Sequence, residues 1–342
     1  MVDITVHGAG IFGLSVAWTC VMRGACVQII DPNGPGAGAS GGLVGAMAPH
    51  VPENWNVKKA FQLDSLLMAE TWWTDVCTIG GVDAGYGRLG RIQPLANQTA
   101  VDLARARAIG AQDLWRGAAR WWVTDAPSTF TPQSPTGLWV QDDLTARLHP
   151  KRAVDALVAG LAARGVAIAQ QAKPRGKQIW ATGWQGLKTM SQDQPRSVGT
   201  GIKGQAISLY YDAGNVPQVF ADGLHIVPQA DGTCAIGSTS ERDFDHADET
   251  DAQCDVLRAR AETILPQLKG RPEAGRWAGV RPRARSRAPM LGPWPGRPDH
   301  FVANGGFKIG FGMAPKVAEC MADLVLEGHN TIPDAFRVEA SQ

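Results

Sequence analysis

Hydrophobic and polar positions along the chain fall first into a strand, turn and helix unit. An apolar strand from Val2 to Val6 leads into a glycine-rich turn, a helix ending near Gly24, and a second apolar run, Cys26 to Ile30, that stops at Asp31. From Val57 to Cys77 the residues Phe61, Leu63, Leu66, Leu67, Trp73 and Val76 recur at helical spacing, and Gly80-Gly81 ends the helix. Leu89 to Leu95 reads as a strand and Thr99 to Ala119 as a second helix, while Trp121-Trp122 and the stretch from Pro127 to Pro135 read as irregular. Pro150, favourable at a first helical position, opens a helix that runs to Arg164 with Gly165 as its cap. Short strands follow at Val166 to Ala169 and Gln178 to Ala181.

Beyond Ile202 the pattern becomes one of antiparallel strands. Leu224 to Gln229 and Cys234 to Ser238 flank Asp231-Gly232, a hairpin turn signal. A helix from Glu249 to Leu265 is closed by Pro266, and Trp277 to Pro282, Met290 to Gly292 and His300 to Ala303 read as short strands. A glycine-bearing loop, 304–310, leads to a last helix starting near Met313 and ending at Gly328.

Composition changes this picture little. At 342 residues the chain exceeds what one core usually organises, so two structural units are expected. A net charge of +1 provides no field that would recruit nucleic acid or an anionic membrane, and no apolar run reaches the roughly 18 residues of a membrane span. A strand beginning at Val2 leaves no room for a leader, which makes the cytoplasm the expected location. The six cysteines are scattered without a Cys-x-x-Cys pair and read as reduced thiols.

The chemistry is concentrated in the glycines. In Gly8-Ala9-Gly10-Ile11-Phe12-Gly13, the first glycine permits a sharp turn, the second lets backbone approach a pyrophosphate, and the third lets helix pack on sheet. Asp31, 18 residues after Gly13, is placed to accept hydrogen bonds from a ribose diol. This unit alone fits either NAD or FAD. The segment Pro32 to Gly45, with Ala39-Ser40-Gly41-Gly42 at its centre, suits a backbone pressed against a flat ligand. No Ser/His/Asp set, paired carboxylates or His-Glu-x-x-His occurs at useful spacing, so hydrolase and metal mechanisms have no support.

Further motifs appear in order: Gly38 to Gly42 followed by Gly45 to Pro49, Ala181-Thr182-Gly183-Trp184, Lys203-Gly204-Gln205, His225 to Pro228, Gly237-Ser238-Thr239, Gly279-Val280-Arg281-Pro282, and Gly305-Gly306 through Pro315. With these the chain resembles the glycine oxidase and D-amino acid oxidase family of FAD-dependent amine oxidoreductases. The resemblance implies an α/β (α+β) protein, a Rossmann-type FAD-binding domain with a second, antiparallel-sheet substrate domain. The FAD domain would be built from 1–47, 150–200 and 277–342, and the substrate domain from 48–149 and 201–276. It implies non-covalent FAD, since Phe307 to Gly312 lacks the cysteine of covalent relatives. The cofactor residues would be Gly8, Gly10, Ile11, Phe12, Gly13, Asp31, Ser40, Gly41, Gly42, Thr182, Gly183, Gly305, Gly306, Phe307, Lys308, Ile309 and Gly310.

Arg281 matches the family arginine that grips the substrate carboxylate, a task suited to a planar, always charged guanidinium. Its alternative is membership of a solvated basic run with Arg283, Arg285 and Arg287. Lys308 stands where glycine oxidases carry arginine and would support the carboxylate or the flavin carbonyls. The positive end of the last helix would face the flavin. His225 would orient the amine or be a hydrogen-bonded structural residue, and His50 is a lesser candidate. The implied reaction oxidises the C–N bond of a small amino acid or amine, with hydride transfer to flavin N5 and imine hydrolysis. Its partners are that substrate, oxygen or another electron acceptor, and a possible second copy of the chain. Three other readings stay open: carboxymethyl removal on a tRNA wobble uridine, a flavoprotein without turnover, and an NAD-dependent dehydrogenase.

Overall fold

The opening apolar run becomes a central strand of a six-stranded sheet. In this computed structural model, which describes residues 2–125, 127, 129–192 and 194–342, the strand spans Ile4–His7. Ser128, within the proline-rich stretch, lies outside the described residues. The sheet order is Met290–Pro293, His300–Asn304, Lys177–Trp180, Ile4–His7, Val27–Ile30 and Ile168–Ala169. Ile4–His7 pairs in parallel with Val27–Ile30 on one side and Lys177–Trp180 on the other. Covered on both faces, such strands read as unbroken apolar runs, and Ile4, Val6 and Ile29 have no exposed surface. Helix Ile11–Met22 packs against Pro150–Ala163 and Gly310–Ala322, and the long helix Val57–Gly80 packs on the same two.

The second sheet has eight strands in the order Glu273–Ala284, Gly199–Tyr210, Thr233–Gly237, Leu224–Pro228, Gln218–Ala221, Arg91–Pro94, Trp139–Asp142 and Trp121–Thr124. All its pairs are antiparallel except Gln218–Ala221 with Arg91–Pro94. Side chains alternate between faces along a strand. Ile92, Ile207, Val219, Ile226, Cys234 and Ile236 form an apolar face covered by helix Gln253–Ile264. No helix among the described residues is long and apolar enough to cross a membrane.

Several sequence expectations need correction. Trp121-Trp122, read as irregular, begins the edge strand Trp121–Thr124, where Trp121 is buried and the next three residues are half-buried, so no alternation marks it. Its partner Trp139–Asp142 carried no signal of its own. The short strand at Trp277 is one part of the twelve-residue edge strand Glu273–Ala284, and an edge tolerates Pro282 because its missing N–H can face outward. The expected segment boundary at 276/277 therefore falls inside a strand, and the one at 200/201 inside Gly199–Tyr210. Helix Gln98–Leu114 stops short of Ala119, and Gln253–Ile264 starts after Glu249. An additional helix, Gly183–Gln192, follows directly on Lys177–Trp180. The last helix begins at Gly310, ahead of Met313.

Candidate active site

The glycine turn is shaped by contacts that leave no room for side chains. Gly8 has φ +103°, a left-handed region that favours glycine, and a Cβ there would lie 2.4 Å from the Ala181 carbonyl oxygen. A Cβ on Gly13 would lie 1.9 Å from the Gly8 carbonyl oxygen, so helix and turn touch through bare backbone. The Asp31 carboxylate holds this turn, accepting from the Ala9 N–H at 2.7 Å and the Asn33 N–H at 2.9 Å. Buried Ser40 accepts from the Ile11 N–H at 2.9 Å, which ties the small-residue loop to the helix N-terminus. First-turn N–H groups have no acceptor within their own helix and carry partial positive charge.

The C-terminal loop comes to the same place. A Cβ on Gly306 would stand 2.8 Å from the Phe12 ring, and Gly305 has φ +77°. Asn304 ties this loop to the third segment: its amide donates to the Gly183 carbonyl at 2.9 Å, and its Oδ1 accepts from the Gly305 N–H at 2.8 Å. The Phe307 N–H donates to the Pro282 carbonyl at 3.0 Å, which joins the loop to the edge strand of the larger sheet. Ile309 then caps helix Gly310–Ala322 without a side-chain hydrogen bond. The structure thus gathers Gly8 to Gly13, Asp31, Ser40 to Gly42, Thr182-Gly183 and Gly305 to Gly310 around one helix start.

Pairing on the larger sheet places the remaining candidates on one face. Trp277 is opposite Ala206, Ala206 opposite Gly237, Gly237 opposite His225, and His225 opposite Phe220. Arg281 and Arg283 share Trp277's face by alternation, as does Arg91, whose pairing with Gln218 sets it two residues from Phe220. This is the face away from the apolar core. The Ser40 loop packs against it, since a Cβ on Gly42 would sit 3.5 Å from the Trp277 indole and one on Gly237 would sit 3.0 Å from Val44.

Arg281 does not belong to the solvated basic run. It is buried, whereas Arg285 and Arg287 are exposed. Its Nη1 donates to the Thr239 carbonyl at 3.3 Å, and its Cζ lies 5.9 Å from the Trp277 ring centroid. Burial pushes the guanidinium down to about 10, against the opposing pull of Glu241, which leaves it charged at neutral pH. The group lies flat over Gly204, where a Cβ would be 1.8 Å from Nη1 and 2.3 Å from both Cζ and Nη2. Lys308 is an exposed residue of the C-terminal loop. Packing around its ammonium and then the Arg281 charge hold its pKa below the usual lysine value.

His225 feels the charge of two cations. Packing around its ring, followed by the charges of Arg91 and Lys308, pushes its pKa down to about 3, and its buried Nδ1 has no hydrogen-bond partner among the described residues. Arg91 is itself neutralised by buried Asp142 at 3.1 Å. A histidine kept neutral in the folded chain but protonated when unfolded makes the unfolded state bind more protons below pH 6.5. Stability therefore falls as pH drops from 6.5 toward 3, at up to about 1.4 kcal/mol per pH unit from this group. Denaturant titrations from pH 7 to 4 should show a shallower loss for His225→Phe than for the unmodified protein; parallel curves would remove His225 from this role.

His50 is held by the long helix, whose Gln62 lies 3.9 Å from where a Cβ on Gly312 would stand. The His50 backbone N–H donates to Gln62 Oε1 at 2.8 Å and its ring also contacts Gln62, which ties the chain to helix Val57–Gly80. Three residues of the site carried no assignment from sequence. Gly204 was visible only as part of a short motif, Trp277 only as the start of a strand, and Asn304 only as the start of a loop. Their contacts arise from segments remote in the chain.

A family model described as FAD dependent oxidoreductase matches residues 3–324. The glycine oxidase of Pseudomonas aeruginosa is 27% identical over 383 aligned residues, covering 97% of this chain and 96% of that protein. Among solved structures, the glycine oxidase from Geobacillus kaustophilus superposes with a TM-score of 0.84 at 19% identity, covering 98% of each chain. The iminodiacetate oxidase from Chelativorans sp. BNC1 gives 0.83 at 19% identity, again with 98% of each chain covered. At those identities the structural likeness speaks for the fold.

Proposed function

We propose, from the premise that this chain belongs to the FAD dependent oxidoreductase family, that it oxidises the C–N bond of a small amine bearing a carboxylate. The observation that carries this reading is Arg281, a buried and still charged guanidinium on the open face of the larger sheet. Relatives named glycine oxidase are named for an amine of that kind.

The residues present fit FAD. Gly8, Gly10 and Gly13 keep the turn bare for a pyrophosphate, which the N–H groups of Phe12 and Gly13 and the Ser40 hydroxyl would meet. Each oxygen of Asp31 accepts one backbone N–H and keeps a lone pair for a ribose hydroxyl. Gly41, Gly42, Thr182, Gly183 and the loop Gly305 to Gly310 would border the ring, and the start of helix Gly310–Ala322 would bring its positive end there. The same proposal includes the division into FAD and substrate domains. Bound FAD supplies a two-electron acceptor for hydride at N5.

The chain's own part is positioning and electrostatics. Arg281 would grip the carboxylate in two places and fix the adjoining C–H. A neutral His225 would accept the amine N–H at its unpartnered Nδ1. With Arg281 and Lys308 both cationic, the face disfavours an ammonium and selects the neutral amine, whose lone pair drives hydride departure. Water then hydrolyses the imine. Trp277 and the Ser40 loop would keep solvent from the reacting carbon.

Gly204→Ala tests the positioning of Arg281 without changing the guanidinium itself. The added methyl must displace it, so KM for amino acids should rise about 10-fold to 100-fold with flavin content kept. An unchanged KM would show that the guanidinium's seat does not matter. The function itself is tested by anaerobic mixing of the holoprotein with glycine, sarcosine, proline and D-amino acids. At least one should bleach the flavin and release one carbonyl acid per flavin, trapped as its hydrazone. Bleaching by none of them would defeat the reading.

A further inference from the structure

Charge on the open face of the larger sheet is unbalanced. Arg91, Arg281 and Arg283 share it, and Lys308 faces it from the C-terminal loop. The carboxylate paired into this face, Asp142, is bound to Arg91 at 3.1 Å and also accepts from the Thr145 N–H at 2.7 Å. Glu241 is the carboxylate that acts on Arg281, and it is shared with buried Lys203 at 4.0 Å and with Gln205 at 3.3 Å. His225, on which both Arg91 and Lys308 act, contributes no charge at neutral pH. Lys308 and Arg283 meet over one ring, their cationic centres 5.8 and 5.6 Å from the Phe307 centroid. Arg281, Arg283 and Lys308 therefore form one cationic group on this face, with Lys308 its exposed member.

One carboxylate at Arg281 leaves Lys308 and Arg283 uncompensated. We infer that the preferred substrate is an amine carrying two carboxylates, one held by Arg281 beside the reacting C–H and the other by Lys308 with Arg283 behind it. This rests on the proposed function and narrows its substrate class. Lysine suits the second position, because a point charge on a flexible stem follows a carboxylate at variable reach, while the fixed fork of Arg281 holds the reacting end. The reaction balances with the acceptor already named. The neutral amine loses a hydride from carbon, water adds to the resulting iminium, and C–N cleavage yields a carbonyl acid and an ammonium. FAD, when bound, would supply the two-electron acceptor, and oxygen or another acceptor would reoxidise it.

Two unreactive ligands test this by binding alone: thiodiacetate, with two carboxylates about a sulfur, and methylthioacetate, with one. Calorimetric titration of the FAD-loaded protein should give thiodiacetate at least about 10-fold tighter binding, roughly 1.4 kcal/mol. Lys308→Met should bring the ratio near one, and Lys308→Arg should restore it; flavin absorption confirms loading in each variant. Equal affinities in the unmodified protein, or a ratio that survives Lys308→Met, would overturn the inference. Failure of both ligands to bind a protein whose flavin is bleached by amino acids would overturn it as well. Failure of both together with no bleaching by any amine would instead bring down the proposed function beneath it.

Discussion

Replacing Arg281 by alanine is expected to raise KM for amino acid substrates about 100-fold or more while leaving simple amines nearly unaffected. Hydrogen bonds to charged groups contribute about 1.5 to 3 kcal/mol each, and a two-point grip loses two of them. A loss near 3 kcal/mol corresponds to about 100-fold. The burial of Arg281 sharpens the effect, because its charge has already been desolvated when the substrate arrives. Arg281→Lys should recover only part of the loss, since an ammonium over Gly204 cannot reproduce the fork. Steady-state kinetics with glycine against methylamine separates the outcomes: equal increases for both would remove Arg281 from the carboxylate role.

The second large effect is expected at the opposite end of the cofactor. Gly13→Ala places a methyl 1.9 Å from the Gly8 carbonyl oxygen, backbone against backbone, with no flexible side chain to yield. Helix Ile11–Met22 must lift from the turn, and the N–H groups proposed to meet the pyrophosphate move with it. Overpacking costs about 1 to 3 kcal/mol, and misaligned phosphate contacts add to it. FAD affinity should fall about 100-fold, giving a colourless preparation. Gly38→Ala, in the neighbouring loop with nothing within 4 Å of the added carbon, serves as control and should keep its flavin. Full flavin occupancy in Gly13→Ala would show that the close approach is not needed.

What the sequence revealed follows from range. The turn Gly8 to Gly13 and its strand were legible because their contacts lie within one βαβ unit, where spacing reports geometry directly. Helix Val57–Gly80 was legible from its periodicity. The edge strand Trp121–Thr124 and its neighbour Trp139–Asp142 were not, because their partners lie elsewhere in the chain and the burial of the first does not follow a two-residue period. Gly204 illustrates the same limit at the site. Its use depends on lying beside Glu273–Ala284, about 75 residues away in sequence, which only the sheet pairing discloses. The burial that separates Arg281 from Arg285 and Arg287 is likewise a property of the fold, invisible in four alternate arginines.

Anaerobic mixing of the yellow holoprotein with an amino acid and with its decarboxylated counterpart, glycine against methylamine and sarcosine against dimethylamine, tests the central claim most directly. Carboxylate-bearing amines should bleach the flavin at least about 100-fold faster than their counterparts at equal concentration. Equal rates for the two members of each pair, or an unbleached flavin with all four, would contradict it.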